Sequence, residues 1–207
     1  MLKAYGIPQP SGAFARNAED AVQIAERVGF PVAVKLISST VVHKSEVGGI
    51  RLNVSSAEEV RHAFDQMQRA SLKASSFPAE GVLVQRMIKG GIELMAGVTN
   101  DPLFGPLLAF GLGGVNVEIV NDVQFRVTPL TDVDAKHMVR DIRGFRLLKG
   151  YRGHAPADID AIEEVLLRLS RMADEIPEIA EMDLNPLIAL APGQGCSAVD
   201  ARIRVLL

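Results

Sequence analysis

The sequence predicts an α+β protein built as two lobes, residues 1–80 and 81–207. Three observations carry that reading. With 207 residues, 48% of them hydrophobic, the chain can bury one good core or two small ones. Helix-like and strand-like patterns alternate up to about residue 72, whereas short strands punctuated by Gly, Pro or Asn-Asp dominate beyond residue 81. Between the two regimes, Lys73–Pro78 reads as a linker.

In the first lobe, the two prolines of Tyr5-Gly6-Ile7-Pro8-Gln9-Pro10 hold their predecessors extended, so a short strand or connector is expected there. Asn17 can accept backbone N–H bonds as an N-cap. Ala21, Val22, Ile24, Ala25 and Val28 then mark one face of a short helix that stops before Gly29. Pro31 introduces Val32-Ala33-Val34-Lys35-Leu36-Ile37, a β-branched run expected to be a buried strand with one cation in it. Ser38–Gly49 has no sustained period and reads as a loop, and Ile50–Val54 as a strand. Ser55 or Ser56 caps a helix from Ala57 to about Leu72, with Val60, Ala63, Phe64 and Met67 inward.

The second lobe is expected to hold strands at Gly81–Ile88, Glu93–Thr99, Pro106–Gly111 and Val115–Ile119, paired antiparallel. Asn121-Asp122 tolerates positive φ and signals a hairpin into Val123–Val127. Helices are expected at Asp132–Arg143 and Pro156–Ile176, then short strands at Ile179–Leu184, Leu187–Leu190 and Ala198–Val205. Pro186 cannot donate to a ladder, which predicts an edge or a bulge at that point.

Composition excludes several classes. Twenty-two Lys and Arg against 25 Asp and Glu leave no basic field for a nucleic-acid backbone or an anionic membrane. Charges, Gly or Pro interrupt every apolar stretch short of a membrane span, and the N-terminal residues lack the apolar core of a signal peptide. One cysteine cannot form an internal bridge. A cytoplasmic protein is expected.

Lys35, inside an apolar strand, needs an anion or water, because an unpaired buried ammonium is costly. That anion is either a neighbouring carboxylate or a phosphate. The segment His43-Lys44-Ser45-Glu46-Val47-Gly48-Gly49 gathers an imidazole, an ammonium, a hydroxyl and two glycines whose N–H groups can approach an anion closely. His43 reads as a hydrogen-bond donor to phosphate, a transient phosphoryl acceptor or a solvated ring. Alternation places Glu181, Asp183 and Asn185 on one face of a strand, and Asp200 on the next segment could complete an oxygen set suited to Mg²⁺. A solvated strand face is the plainer alternative. Arg126 could hold phosphate, and Glu118 and Asp122 near it could support a metal or face water. Gly111-Leu112-Gly113-Gly114 has the wrong spacing for a dinucleotide fingerprint or a P-loop and reads as a tight turn between two strands, or as a place where backbone approaches a nucleotide. His62, His137 and His154 read as surface or structural, and Cys196 has no neighbouring base.

Taken in order, YGIP, Val34-Lys35, HKSEVGG, Val84-Gln85-Arg86-Met87, Gly91-Ile92-Glu93, DPLFGP, FGLGG, Arg126-Val127-Thr128-Pro129-Leu130, EMDLNPL and VDAR resemble the ATP-grasp part of ADP-forming acyl-CoA synthetases over nearly the whole chain. Succinyl-CoA synthetase β subunits look like more distant relatives. The resemblance implies a two-lobed ATP-grasp fold that clamps ATP or ADP between its lobes. It implies Lys35 on the nucleotide phosphates, Gly48 and Gly49 in the phosphate loop, Gln85 and Met87 at the adenine hinge, and Glu93 near the ribose. Asn185 and Asp200 would carry Mg²⁺ with Asp183 in support, Lys35 and Arg126 would neutralise charge, and His43 would relay the phosphoryl group. The implied reaction is acid + CoA + ATP ⇌ acyl-CoA + ADP + Pi. The CoA-binding domains, or an α subunit with the second phosphohistidine, would be partners. The alternative reading is a synthetase-like regulatory module of a protein lysine acetyltransferase.

Overall fold

The computed structural model describes residues 1–41, 47–114, 122–153 and 155–206. The expected strand Val115–Ile119, Asn121 of the expected hairpin, and His43, Glu118 and His154 lie outside them. The chain divides into two compact units, residues 10–88, and residues 1–9 together with 89–207.

The smaller unit is a four-stranded antiparallel sheet of β1 (Gly12–Ala15), β2 (Val32–Ile37), β3 (Ile50–Val54) and β4 (Gly81–Arg86) in the order β1-β4-β2-β3. It carries α1 (Ala18–Val28) and α2 (Ala57–Ser75). Asn17 caps α1 by accepting the Asp20 N–H at 2.8 Å. Ser56 caps α2, while Glu59 reaches back to the Ser55 N–H at 2.7 Å. Val32, Val34 and Leu36 of β2 and Val82 and Val84 of β4 share a core with Ala21, Val22 and Ala25 of α1 and Val60, Phe64 and Met67 of α2. Each of the larger side chains among them contributes about 1.5–3 kcal/mol on burial. The helices therefore cover one face of the sheet, and alternation sends Ala33, Lys35, Leu83 and Gln85 to the other.

The boundary expected after residue 80 is displaced by this pairing. The strand expected at Gly81–Ile88 was to open the second lobe, yet its observed part, β4, lies between β1 and β2 in the first sheet. Lys73–Ser75, read as linker, is the last turn of α2, so the expected boundary is only the short connection into β4. Residues 1–9 join the larger unit because Leu2 and Ile7 are buried in its core and the Ala198 N–H donates to the Pro8 carbonyl.

The larger unit is a six-stranded antiparallel sheet. Its strands are β5 (Ile92–Asp101), β6 (Gly105–Leu112), β7 (Val123–Val127), β8 (Ile179–Ala189), β9 (Cys196–Ala198) and β10 (Ala201–Val205), in the order β10-β8-β5-β6-β7 with β9 also on β8. Leu94, Ala96 and Val98 of β5, Leu108 and Phe110 of β6, and Met182, Leu184 and Leu187 of β8 form the inward face. Against it pack α3 (Asp132–Arg140) and α5 (Ile159–Glu175), and the one-turn α4 (Phe145–Leu148) places Leu148 in the same core. The two strands expected at 179–190 are one strand with a bulge: Ala96 pairs with Leu184 but Leu94 pairs with Leu187, so β8 gains a residue at Asn185-Pro186. None of the described helices is long and apolar enough to cross a membrane.

Candidate functional site

On the small sheet, Lys35 pairs with Leu83 and Ala33 pairs with Gln85, which makes Lys35 and Gln85 diagonal neighbours on the face that α1 and α2 leave uncovered. Lys35 is 6% exposed and Gln85 7%. A Cβ on Gly12, across from Gln85, would come within 2.8 Å of the Gln85 Cγ, so the missing side chain of Gly12 is what gives Gln85 its room. Gln85 Oε1 is buried and accepts no hydrogen bond from any of the described residues. Such an acceptor costs about 1–3 kcal/mol unless a donor arrives from elsewhere. Met87 is half-buried, and its N–H donates to the Pro31 carbonyl at 3.1 Å, so that donor is already engaged.

The glycine loop is anchored at both ends. On one side the Ser39 N–H and hydroxyl donate to the Glu80 carboxylate, at 3.1 and 2.5 Å. On the other, the Leu36 N–H donates to the Gly49 carbonyl at 2.7 Å, and Gly48 turns the chain at φ +72°, where a side chain would be strained. Residues 42–46 lie outside the described residues, so the position of His43 rests on the sequence alone.

On the large sheet, Met182 and Leu184 point into the core and Glu181, Asp183 and Asn185 point the opposite way, as alternation predicts. Glu93 belongs to the same outward face, because Asp183 pairs with Gly97 on β5 and Glu93 lies four residues from Gly97 on that strand. Its carboxylate rests against Gly114, and the Gly113 N–H donates to its backbone carbonyl at 2.8 Å. Asp200 precedes β10, whose Arg202 pairs directly with Asp183. Burial pushes the Asp183 carboxyl above its ordinary range; Arg202 opposes this, while Asp200 and Glu181 add to it. Among the described residues no group of three or more His, Cys, Asp or Glu could hold a metal. The donors here are the Asn185 carboxamide and the Asp183 and Asp200 carboxylates, a short hard-oxygen set that leaves positions for phosphate and water. Mg²⁺ accepts that kind of set.

Arg126 is not part of that face. It pairs with Leu108, a core residue, and so points toward the helices, where it bonds Asp141 at 2.9 Å and the Phe125 carbonyl at 2.8 Å. The apolar residues beside it are turned the other way, Phe125 and Val127 being 52% and 50% exposed. Asp122 neither faces water nor stands ready for a metal: it is 5% exposed and accepts the Arg143 and Gly144 N–H groups at 2.7 Å each. Cys196 is buried and its thiol donates to the Ala161 carbonyl. A groove of about 730 Å³ beside β3 and α2, lined in part by Arg51, Asn53 and His62, contains none of the expected site residues.

Two antiparallel sheets, each with helices on one face, are the architecture that the relatives share. An ATP-grasp domain model matches residues 1–205. The chain is 43% identical over 208 residues to the β subunit of an ADP-forming acetate–CoA ligase II from Pyrococcus furiosus, covering 98% of this chain and 87% of that subunit. It is 45% identical to an ADP-forming acetate–CoA ligase I from Archaeoglobus fulgidus, covering 98% of this chain and 29% of the relative's length. A structure of acetyl-coenzyme A synthetase 1 from Korarchaeum cryptofilum, in complex with coenzyme A and Ca-AMPCP, superposes with a TM-score of 0.94 at 45% identity, covering 99% of this chain and 89% of that one. The chain belongs to the ATP-grasp family, in its branch of ADP-forming acyl-CoA ligase β subunits. The acetyltransferase-module reading finds no support in these relatives.

Proposed function

We propose that this chain is the nucleotide-handling part of an ADP-forming acyl-CoA synthetase, which binds ATP or ADP with Mg²⁺ and passes the phosphoryl group through His43. The observation that carries the reading is Gln85, a buried acceptor without a donor among the described residues, beside a buried lysine on the sheet face opposite α1 and α2. An exocyclic amino group of a base supplies the missing donor, and phosphates supply the anion that Lys35 attracts. Relatives named as ligases and the nucleotide analogue in the Korarchaeum structure support the same assignment.

In this reading Met87 packs on the base and Glu93 accepts from the ribose hydroxyls. The N–H groups at Gly48 and Gly49 approach the phosphates, and Asn185 and Asp200 hold Mg²⁺ with Asp183 in support. Bound Mg²⁺ supplies neutralisation of phosphate charge. A His43 ring nitrogen attacks the γ-phosphorus; an N–P bond forms as the bond to the β-phosphate oxygen breaks, and ADP departs with that electron pair. Positioning and charge compensation are most of what such a transfer requires. CoA-binding domains, or an α subunit with a second phosphohistidine, complete the turnover acid + CoA + ATP ⇌ acyl-CoA + ADP + Pi.

The test is calorimetric titration with ATP and ADP, with and without Mg²⁺, on the wild type, Lys35→Ala and Asn185→Ala, together with labelling by γ-³²P-ATP. Mg²⁺-dependent binding weakened at least tenfold in both variants is expected, with an acid-labile label that His43→Ala lacks. A folded wild-type chain that binds neither nucleotide overturns the proposal.

A further inference from the structure

We infer that Arg202, on the edge strand β10, is the guanidinium that grips the phosphate chain of the bound nucleotide, in the place the sequence suggested for Arg126. The inference rests on the nucleotide reading above and deepens it. Arg126 points to the helix face of the sheet and is held there by Asp141. Arg202 stands on the opposite face, directly across from Asp183 and two residues beyond Asp200. Its neighbour on that strand face, Arg204, is bound to Glu181 at 3.3 Å. Arg202 has no such bond among the described residues; what it makes is a longer-range attraction to Asp183.

Charge counting on this face leads to the same residue. Glu181 and Asp183 would repel a di- or triphosphate, and Arg204 is bound to the first of them. Arg202 is the remaining guanidinium on these strands, exposed and beside the two residues expected to hold Mg²⁺. A planar fork of N–H donors matches phosphate oxygens two at a time, which a lysine cannot do. Alternation along β10 sets this placement: Ile203 turns into the core against Met182, so Arg202 and Arg204 are turned out.

The experiment measures the dissociation constant for ADP, with Mg²⁺ and again in EDTA, on the full chain as wild type, Arg202→Ala, Arg202→Lys and Arg126→Ala, with melting temperatures alongside. Arg202→Ala should weaken ADP binding about tenfold or more at an unchanged melting temperature, in both media, and Arg202→Lys should recover part of the loss. Arg126→Ala should stay within about twofold of wild type for ADP and lower the melting temperature, because it breaks the Asp141 bond. The inference is overturned if Arg202→Ala binds ADP as wild type does, if its effect vanishes in EDTA, or if Arg126→Ala loses as much affinity. A folded wild type that binds no ADP overturns the nucleotide reading, and this inference with it.

Discussion

The carboxylate of Glu93 lies against the α-carbon of Gly114: a Cβ built there would come within 2.5 Å of Oε2. Gly114 also sits at φ +72°, a region that favours glycine. Gly114→Ala thus meets two obstacles, strain of about 1–2 kcal/mol and displacement of the Glu93 carboxylate. Urea unfolding should show the loss of stability. Titration with ATP should show affinity falling severalfold, in line with Glu93 on the ribose; unchanged affinity would remove Glu93 from the site.

Gln85→Leu should separate stability from binding. Leucine removes the buried acceptor that has no donor, so the ligand-free chain should be as stable as wild type or up to about 1 kcal/mol more stable. Nucleotide affinity should fall at least tenfold, because the base then loses its partner. A variant that binds ATP normally contradicts the base-reading role; thermal unfolding and calorimetry on one preparation measure both effects.

Asp122→Ala removes a buried carboxylate and leaves the Arg143 and Gly144 N–H groups without their acceptor. Loss of two charge-assisted bonds should destabilise the chain by about 3 kcal/mol. Denaturant titration reads this directly, and an effect below about 0.5 kcal/mol would show that water replaces the carboxylate.

Burial, with Asp158 nearby, pushes the Cys196 thiol up to about 12, although Arg168 opposes the shift. The folded state therefore keeps this proton more tightly than the unfolded chain does. Its stabilising effect is complete below the ordinary thiol range and fades as pH rises toward 12. At pH 8 a thiol reagent should react with Cys196 orders of magnitude more slowly in the native chain than in urea. Rapid native labelling would show that the site opens.

What the sequence could show was local. Asn17 and Ser56 were readable as caps, and the outward row Glu181, Asp183, Asn185 followed from alternation alone, including the irregularity at Pro186. Partner choice was not local. Nothing within Gly81–Arg86 says that it pairs with β1 and β2, and β1 itself is four small or aromatic residues with no β-branched signal. Arg126 was read as a candidate phosphate holder because nothing local shows that the core lies on the arginine's side of β7, with Phe125 and Val127 exposed. Arg202 was quoted in the sequence pattern but given no role, since only the register across from Asp183 reveals its neighbours.

The extra residue at Asn185-Pro186 gives β8 something like a reading frame. Before it, the even-numbered Met182 and Leu184 face the core; after it, the odd-numbered Leu187 and Ala189 do. One strand thereby presents its ligand-type side chains at one end and still seals the interior at the other. If β8 paired straight through that point with no bulge to absorb the extra residue, the downstream segment would run out of phase, delivering Ile188 to the interior and Leu187 to solvent, with every hydrophobic residue still present and each on the wrong side.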